Sequence, residues 1–91
     1  MKIHDLKITP DNFDPVYTGI KTAELRINDR DFKVYDVLKL REFDNGHYTG
    51  STVWRRVTCV TPVDFIAPNY VMLSIIPASH SEIVEASACT N

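Results

Sequence analysis

Hydrophobic residues in this chain recur at every second position, in stretches too short for most helices and separated by turn signals. Residues 22 to 28, TAELRIN, set Ala23, Leu25 and Ile27 against Thr22, Glu24 and Arg26, which is the period-two signature of a strand with one buried face. Residues 2 to 8, KIHDLKI, likewise put His4, Leu6 and Ile8 on one side and Ile3, Asp5 and Lys7 on the other. DVLKLREF predicts a further strand that buries Val37 or the pair Leu38 and Leu40. The DNG at 44 to 46 supplies a turn, HYTG extends it, and STVWRRVTCV follows, so these two strands should form a hairpin. Pro62 ends the fourth strand because it has no N–H to give the ladder. VDFIAPN then connects through a short helical turn to YVMLSII, which closes the sheet.

Only one segment before residue 77 reads as helix. Thr9 is a good N-cap, Pro10 suits the first helical position, Asp11 favours the positive end and Gly19 can terminate the helix in a left-handed conformation. Phe13, Val16 and Tyr17 are expected on its inner face, and Pro15 is expected to break it into two irregular turns. So little helix leaves a five-stranded sheet uncovered, and curling it into a barrel hides both edges. The predicted fold is therefore α+β: a small, mostly antiparallel β-barrel over residues 1–76, with one short N-terminal helix at its mouth. Residues 77–91, PASHSEIVEASACTN, are small, polar and weakly patterned, and are expected to form a flexible tail, frayed or at most loosely helical.

With 91 residues the chain has material for one core, and a site must lie on that core's surface or in its mouth. No apolar run approaches the length of about 20 residues that a membrane-spanning helix needs. MKIHDLKITP lacks the apolar stretch of a secretion signal, so a cytoplasmic location is expected. The net charge of −2 is carried by Glu82 and Glu85, leaving residues 1–76 balanced. That balance argues against sequence-blind clamping of a nucleic-acid backbone, which takes many Lys and Arg contacts, and leaves room for a local pocket. Cys59 and Cys89 have no CxxC spacing, His4, His47 and His80 are scattered, and there are three glycines. Neither a metal, a disulfide framework nor a phosphate-cradling loop is expected, and so no cofactor.

Charge is unevenly placed all the same. Seven of the fifteen residues in GIKTAELRINDRDFK, at 19 to 33, are ionisable and mixed in sign, in a chain that is 24% charged. Lys21 stands at the start of the second strand, and alternation sets Thr22, Glu24 and Arg26 on one of its faces. Lys is a mobile point charge, Arg a rigid five-donor fork suited to phosphate or carboxylate, and Glu an acceptor for N–H and O–H groups, so together they can hold a nucleotide. The same residues also fit a solvated ion pair worth under about 1 kcal/mol, with NDRD as a turn whose Asp side chains bond to backbone. Trp54, Arg55 and Arg56, near His47 and Tyr48, read as a stacking-plus-charge element for single-stranded nucleic acid, although alternation sets Arg55 opposite among Val53, Val57 and Cys59, so that Trp54 reads equally as cover for the outer wall of the sheet.

The run G-x-K-T-x-E-x-R at Gly19, Lys21, Thr22, Glu24 and Arg26, continued by NDRDFKV and a D-V-L strand, resembles the ASCH superfamily, whose domains share the PUA-like barrel. H-x-L-K-I near the start, ELRINDRDFKVYDVLKLREFD and the closing YVMLSI are similar to a small bacterial and phage branch of it, over roughly residues 3–76. The resemblance implies a cleft between barrel and helix that binds RNA or a modified nucleoside. Lys21, Glu24 and Arg26 would line it, with His4 and Lys7 from the first strand and Asp29, Arg30 and Asp31 from the loop as neighbours. Two positions depart from the branch. Ala23 replaces a bulky aromatic, and Tyr35 stands where the branch carries Gly, which implies that this turn does not need a positive φ angle.

Some members of the superfamily are amidohydrolases that deacetylate N(4)-acetylcytidine, using a Lys, a Thr three residues later and a Glu late in the chain. Lys21 matches; Glu24 stands at the Thr position, and no acid follows Asp64 until the tail. An enzyme built on this chain would use Thr22 as nucleophile with Lys21 as base, or Glu24 as base for water with Lys21 or Arg26 on the oxyanion. Adjacent positive charges weaken Glu24 in the second scheme. A binding module is the favoured reading, and an adaptor or inhibitor that docks on a host protein is a third class.

Overall fold

A computed structural model describes residues 1–89. The elements run β1 (Ile3–Ile8), α1 (Pro10–Tyr17), β2 (Ala23–Ile27), β3 (Val37–Asp44), β4 (His47–Pro62), β5 (Tyr70–Pro77) and α2 (His80–Cys89). The five strands fall where alternation places them. They form one mixed sheet in the order β1-β3-β4-β5-β2, with β1 parallel to β3 and every other pair antiparallel. Among the described residues, no helix is long and apolar enough to cross a membrane.

β4 is the spine of this sheet. Its first part pairs with β3 and its last part with β5, and irregularities in register between Arg41 and Phe43 and between Val57 and Cys59 bend the strands and add twist. The β3–β4 turn works as its sequence suggests: Asn45 and Gly46 sit at φ 50° and 81°, the double left-handed conformation that tight hairpins favour and that Asn-Gly accepts at little cost. The inner face collects His4, Leu6 and Ile8 from β1, Leu38 and Leu40 from β3, Val53 and Val57 from β4, and Val71, Leu73 and Ile75 from β5, closed by Phe13, Val16 and Phe32.

The sheet curls into a half-barrel and does not close, which corrects the expected barrel. β1 and β2 are its two free edges, with no ladder between them. A side chain bridges them instead, as the Arg26 guanidinium donates from Nη2 to the backbone carbonyl of Lys7 at 2.8 Å. The reason is visible in β2. Its buried residue is Glu24, at 5% exposure, whereas Leu25 and Ile27 are 59% and 50% exposed, so the polar set of the alternation faces the concave side.

Other expectations also need correction. Pro15 lies inside α1 and does not split it; in a helix of two turns its missing N–H removes one intrahelical bond at most. Tyr17 is exposed, stacked flat on Phe13 at 5.9 Å between ring centroids. Val37, Leu38 and Leu40 are all fully buried, Val37 on the opposite side of β3 from the other two. Tyr35 has φ 76°, so the turn before β3 does take the left-handed conformation that its side chain seemed to exclude.

Val37 has company on the outer face because residues 80 to 89 of the expected tail form α2, which packs against β1 and β3 and buries Ala86 completely. Ser79 begins it with a reciprocal cap: its N–H donates to Glu82 Oε1 at 2.8 Å, and the Glu82 N–H donates to Ser79 Oγ at 3.2 Å. Arg56 ties Glu82 to the sheet through its Nε. The last two residues of the expected tail lie outside the described residues.

Candidate cleft at the open seam

The unclosed edge creates a recess. Between β1, α1 and β2 lies a cleft of about 380 Å³ lined by Lys7, Ile8, Thr9, Asn12, Lys21, Glu24, Leu25 and Arg26, within the size range of small-ligand sites. α1 is placed over one end by packing Phe13 and Val16 into the core and by Arg55, whose Nη2 donates to the Val16 carbonyl at 2.8 Å. That carbonyl also accepts from the Gly19 N–H at 3.1 Å, and a cation is favoured at the negative end of the helix. Burial lowers the pKa of that guanidinium from its ordinary value. Gly19, at φ 83°, then turns the chain so that the Lys21 N–H returns to the Pro15 carbonyl at 2.9 Å.

The polar side chains form one connected line across the seam. Asn12 of α1 accepts from Lys21 Nζ at 3.0 Å, and Lys21 Nζ lies 3.5 Å from Glu24 Oε1. Glu24 Oε2 accepts from Arg26 Nε at 2.9 Å and from Nη2 at 2.6 Å, and Arg26 reaches β1 through the Lys7 carbonyl. Buried beside two cations, Glu24 fixes the guanidinium plane and so pre-sets the fork. Three cations, Lys7, Lys21 and Arg26, against one carboxylate give the lining a net charge of +2 and favour an anionic guest.

Beyond Arg26 the seam continues into a second recess of about 310 Å³, which shares Leu25 and Arg26 with the first and adds Asp29, Arg30, Phe32 and Tyr70 among its walls. The loop that carries Asp29 and Arg30 is held from beneath. The Asn28 side chain accepts from the Phe32 N–H at 3.1 Å, and the buried Asp36 accepts from the N–H groups of Lys2 and Lys33, both at 3.0 Å. Asp36 also lies 2.8 Å from His4 Nε2, and the His4 ring meets Phe32 edge-on at 4.7 Å.

The structure therefore brings Lys21, Glu24, Arg26 and Lys7 into one cleft and Asp29 and Arg30 into its extension. His4 lines neither; it is 6% exposed and supports Phe32 from below. Asp31 is an exposed partner of Lys33 at 3.2 Å, and Thr22 is exposed and lines neither recess. Lys7 Nζ leans over the Phe43 ring at 4.4 Å. Arg56 is engaged by Glu82 and stands over Tyr35 at 5.4 Å, while the half-buried Trp54 lies below Lys39. Residue-by-residue reading missed Asn12, Asp36 and the contact that Arg55 makes with α1. A polar residue three after the N-cap carried a usable signal for Asn12. For Arg55, the signal was a charged residue on the apolar Val53–Val57 face of a strand.

Among known proteins, the chain is 40% identical over 72 residues to the "Uncharacterized 12.9 kDa protein in GpA 3'region" of Escherichia phage P2, an alignment that covers 79% of this chain and 66%, just under two thirds, of that relative. The "Domain of unknown function (DUF3850)" matches residues 3–75, a span that takes in β1 to β4, α1, all of β5 but its last two residues, and both recesses of the seam. The chain belongs to the DUF3850 family.

Proposed function

We propose that this chain is an ASCH-like, PUA-like binding module whose seam cleft takes RNA or a modified nucleoside. The observation that carries the reading is the Lys21–Glu24–Arg26 line, buried at its centre and open to a recess of about 380 Å³. Guanidinium donors suit a phosphate or a base carbonyl, and Glu24 Oε1, 3.5 Å from its cation, has room to accept from a base edge. Burying such a cluster at a sheet edge is a poor way to gain stability, since apolar side chains at the same positions would serve as well.

The hydrolytic alternative has less support. Thr22 is outside both recesses, and Glu24 Oε2 is already committed to two N–H groups of Arg26. Binding of nucleosides, 5′-mononucleotides and short single-stranded RNA by calorimetry tests the proposal, with Arg26→Ala and Lys21→Ala beside the parent and circular dichroism as the fold control. Arg26→Ala should weaken binding by at least about tenfold, the order of one good charged hydrogen bond. Absence of binding to every probe at millimolar concentration overturns the proposal, as does affinity untouched by both substitutions. N(4)-acetylcytidine in the same series separates the readings, because turnover lost in Lys21→Ala makes the protein an amidohydrolase.

A further inference from the structure

Arg26 stands between two recesses of similar size and different chemistry. On one side the lining is dominated by ionic and amide groups; on the other Leu6, Ile27, Phe32 and Tyr70 form apolar walls, with Asp29 and Arg30 at the rim. Resting on the binding function proposed above, we infer that the second recess is a subsite for a neighbouring nucleotide of the same RNA strand, so that the ligand unit is at least a dinucleotide whose linking phosphate lies at Arg26.

Three observations support this. The two recesses share Leu25 and Arg26 as a common wall, and at about 3.3 Å per residue the Glu24–Ile27 stretch that borders them runs about 10 Å along the seam. The Arg26 fork is fixed by Glu24 and the Lys7 carbonyl through Nε and Nη2, while Nη1 donates to nothing among the described residues and is the group left to meet a phosphate. The far recess is also pre-formed: Phe32 is 3% exposed and held by Asn28 and His4, and behind it Asp36 joins the 28–36 loop to β1. Tyr70, half-buried and in the lining of this recess, supplies an aromatic side chain on which a base can stack. Arg30 is loosely engaged, 4.0 Å from an exposed Asp29, and free to turn to a second phosphate or a base.

The test compares four 5′-mononucleotides with the matching 5′-phosphorylated dinucleotides by calorimetry at one fixed salt concentration, using the parent, Arg30→Ala, Tyr70→Leu and Arg26→Ala. Dinucleotides should bind about tenfold tighter or more, the scale of one stacked base. Arg30→Ala and Tyr70→Leu should remove that increment and leave mononucleotide affinity unchanged, while Arg26→Ala should weaken both. In amide spectra the dinucleotide alone should shift Arg30, Phe32 and Tyr70. Equal affinity for both lengths, or an increment that survives both far-side substitutions, overturns the subsite while the seam remains a nucleotide site. No binding of either length overturns the underlying reading together with this one.

Discussion

Tyr35 is where a single residue departs furthest from its local preference. A side chain at φ 76° costs about 1–2 kcal/mol relative to the right-handed region, and the ring returns part of that by lying 5.4 Å from the Arg56 guanidinium. Separating the two effects takes a pair of variants. Tyr35→Ala keeps the backbone strain and loses the ring, whereas Tyr35→Gly loses both. Urea unfolding should find the glycine variant more stable than the alanine variant by about 1 kcal/mol. Equal stabilities would mean that the turn relaxes when the ring is removed. Residue-level reading failed here because conformation before β3 is set by Asp36, whose carboxylate gathers two backbone N–H groups and His4; no local pattern announces that. It succeeded at Lys21, Glu24 and Arg26 in placing them together. Alternation told which residues of β2 share a face and was silent on which face turns inward, and polarity pointed the wrong way because the polar set pairs with itself.

The helices were the less legible elements and the strands the more. Period-two runs and their turns located all five strands within a few residues, apart from the longer reach of β4 (His47–Pro62). α2 went unread because its apolar positions are few, yet Ser79-x-x-Glu82 is a capping-box signature in plain sight. Glu82 also makes this helix sensitive to acid. The Ser79 backbone N–H lowers its pKa most, desolvation opposes, and the Ser79 hydroxyl and Arg56 add to the lowering. A depressed folded value means that the carboxylate's contribution is fully present above the ordinary Glu value of about 4.3 and is lost as pH falls through the lower, folded one. Hydrogen exchange should therefore show the α2 amides losing protection below about pH 4 ahead of those in β3 and β4, and Glu82→Gln should bring that loss to neutral pH. Protection in α2 that follows the sheet at every pH would show that the cap and the Arg56 pair do not hold the helix.

At the scale of the whole molecule, the difference between a barrel and a half-barrel decides where function can reside. Composition correctly required the sheet to curl, since one early helix cannot cover it, but closure depends on whether the two edge strands meet, and no pattern within either strand encodes that. Here they do not meet, and the gap is spanned by an arginine where a ladder would run. An edge of that kind is normally protected against pairing with another chain; Arg26 and Glu24 do so while leaving recesses on either side. One measurement bears on this most directly. With isotope-labelled protein, the Arg26 Nε–Hε resonance and the amides of residues 21 to 27 are followed during titration with a 5′-mononucleotide. Saturable shifts of the Arg26 side chain together with Lys21 and Glu24 are expected. A ligand that shifts only the outer face around Trp54 and α2, leaving Arg26 unmoved, would contradict the assignment of the open seam as the binding site.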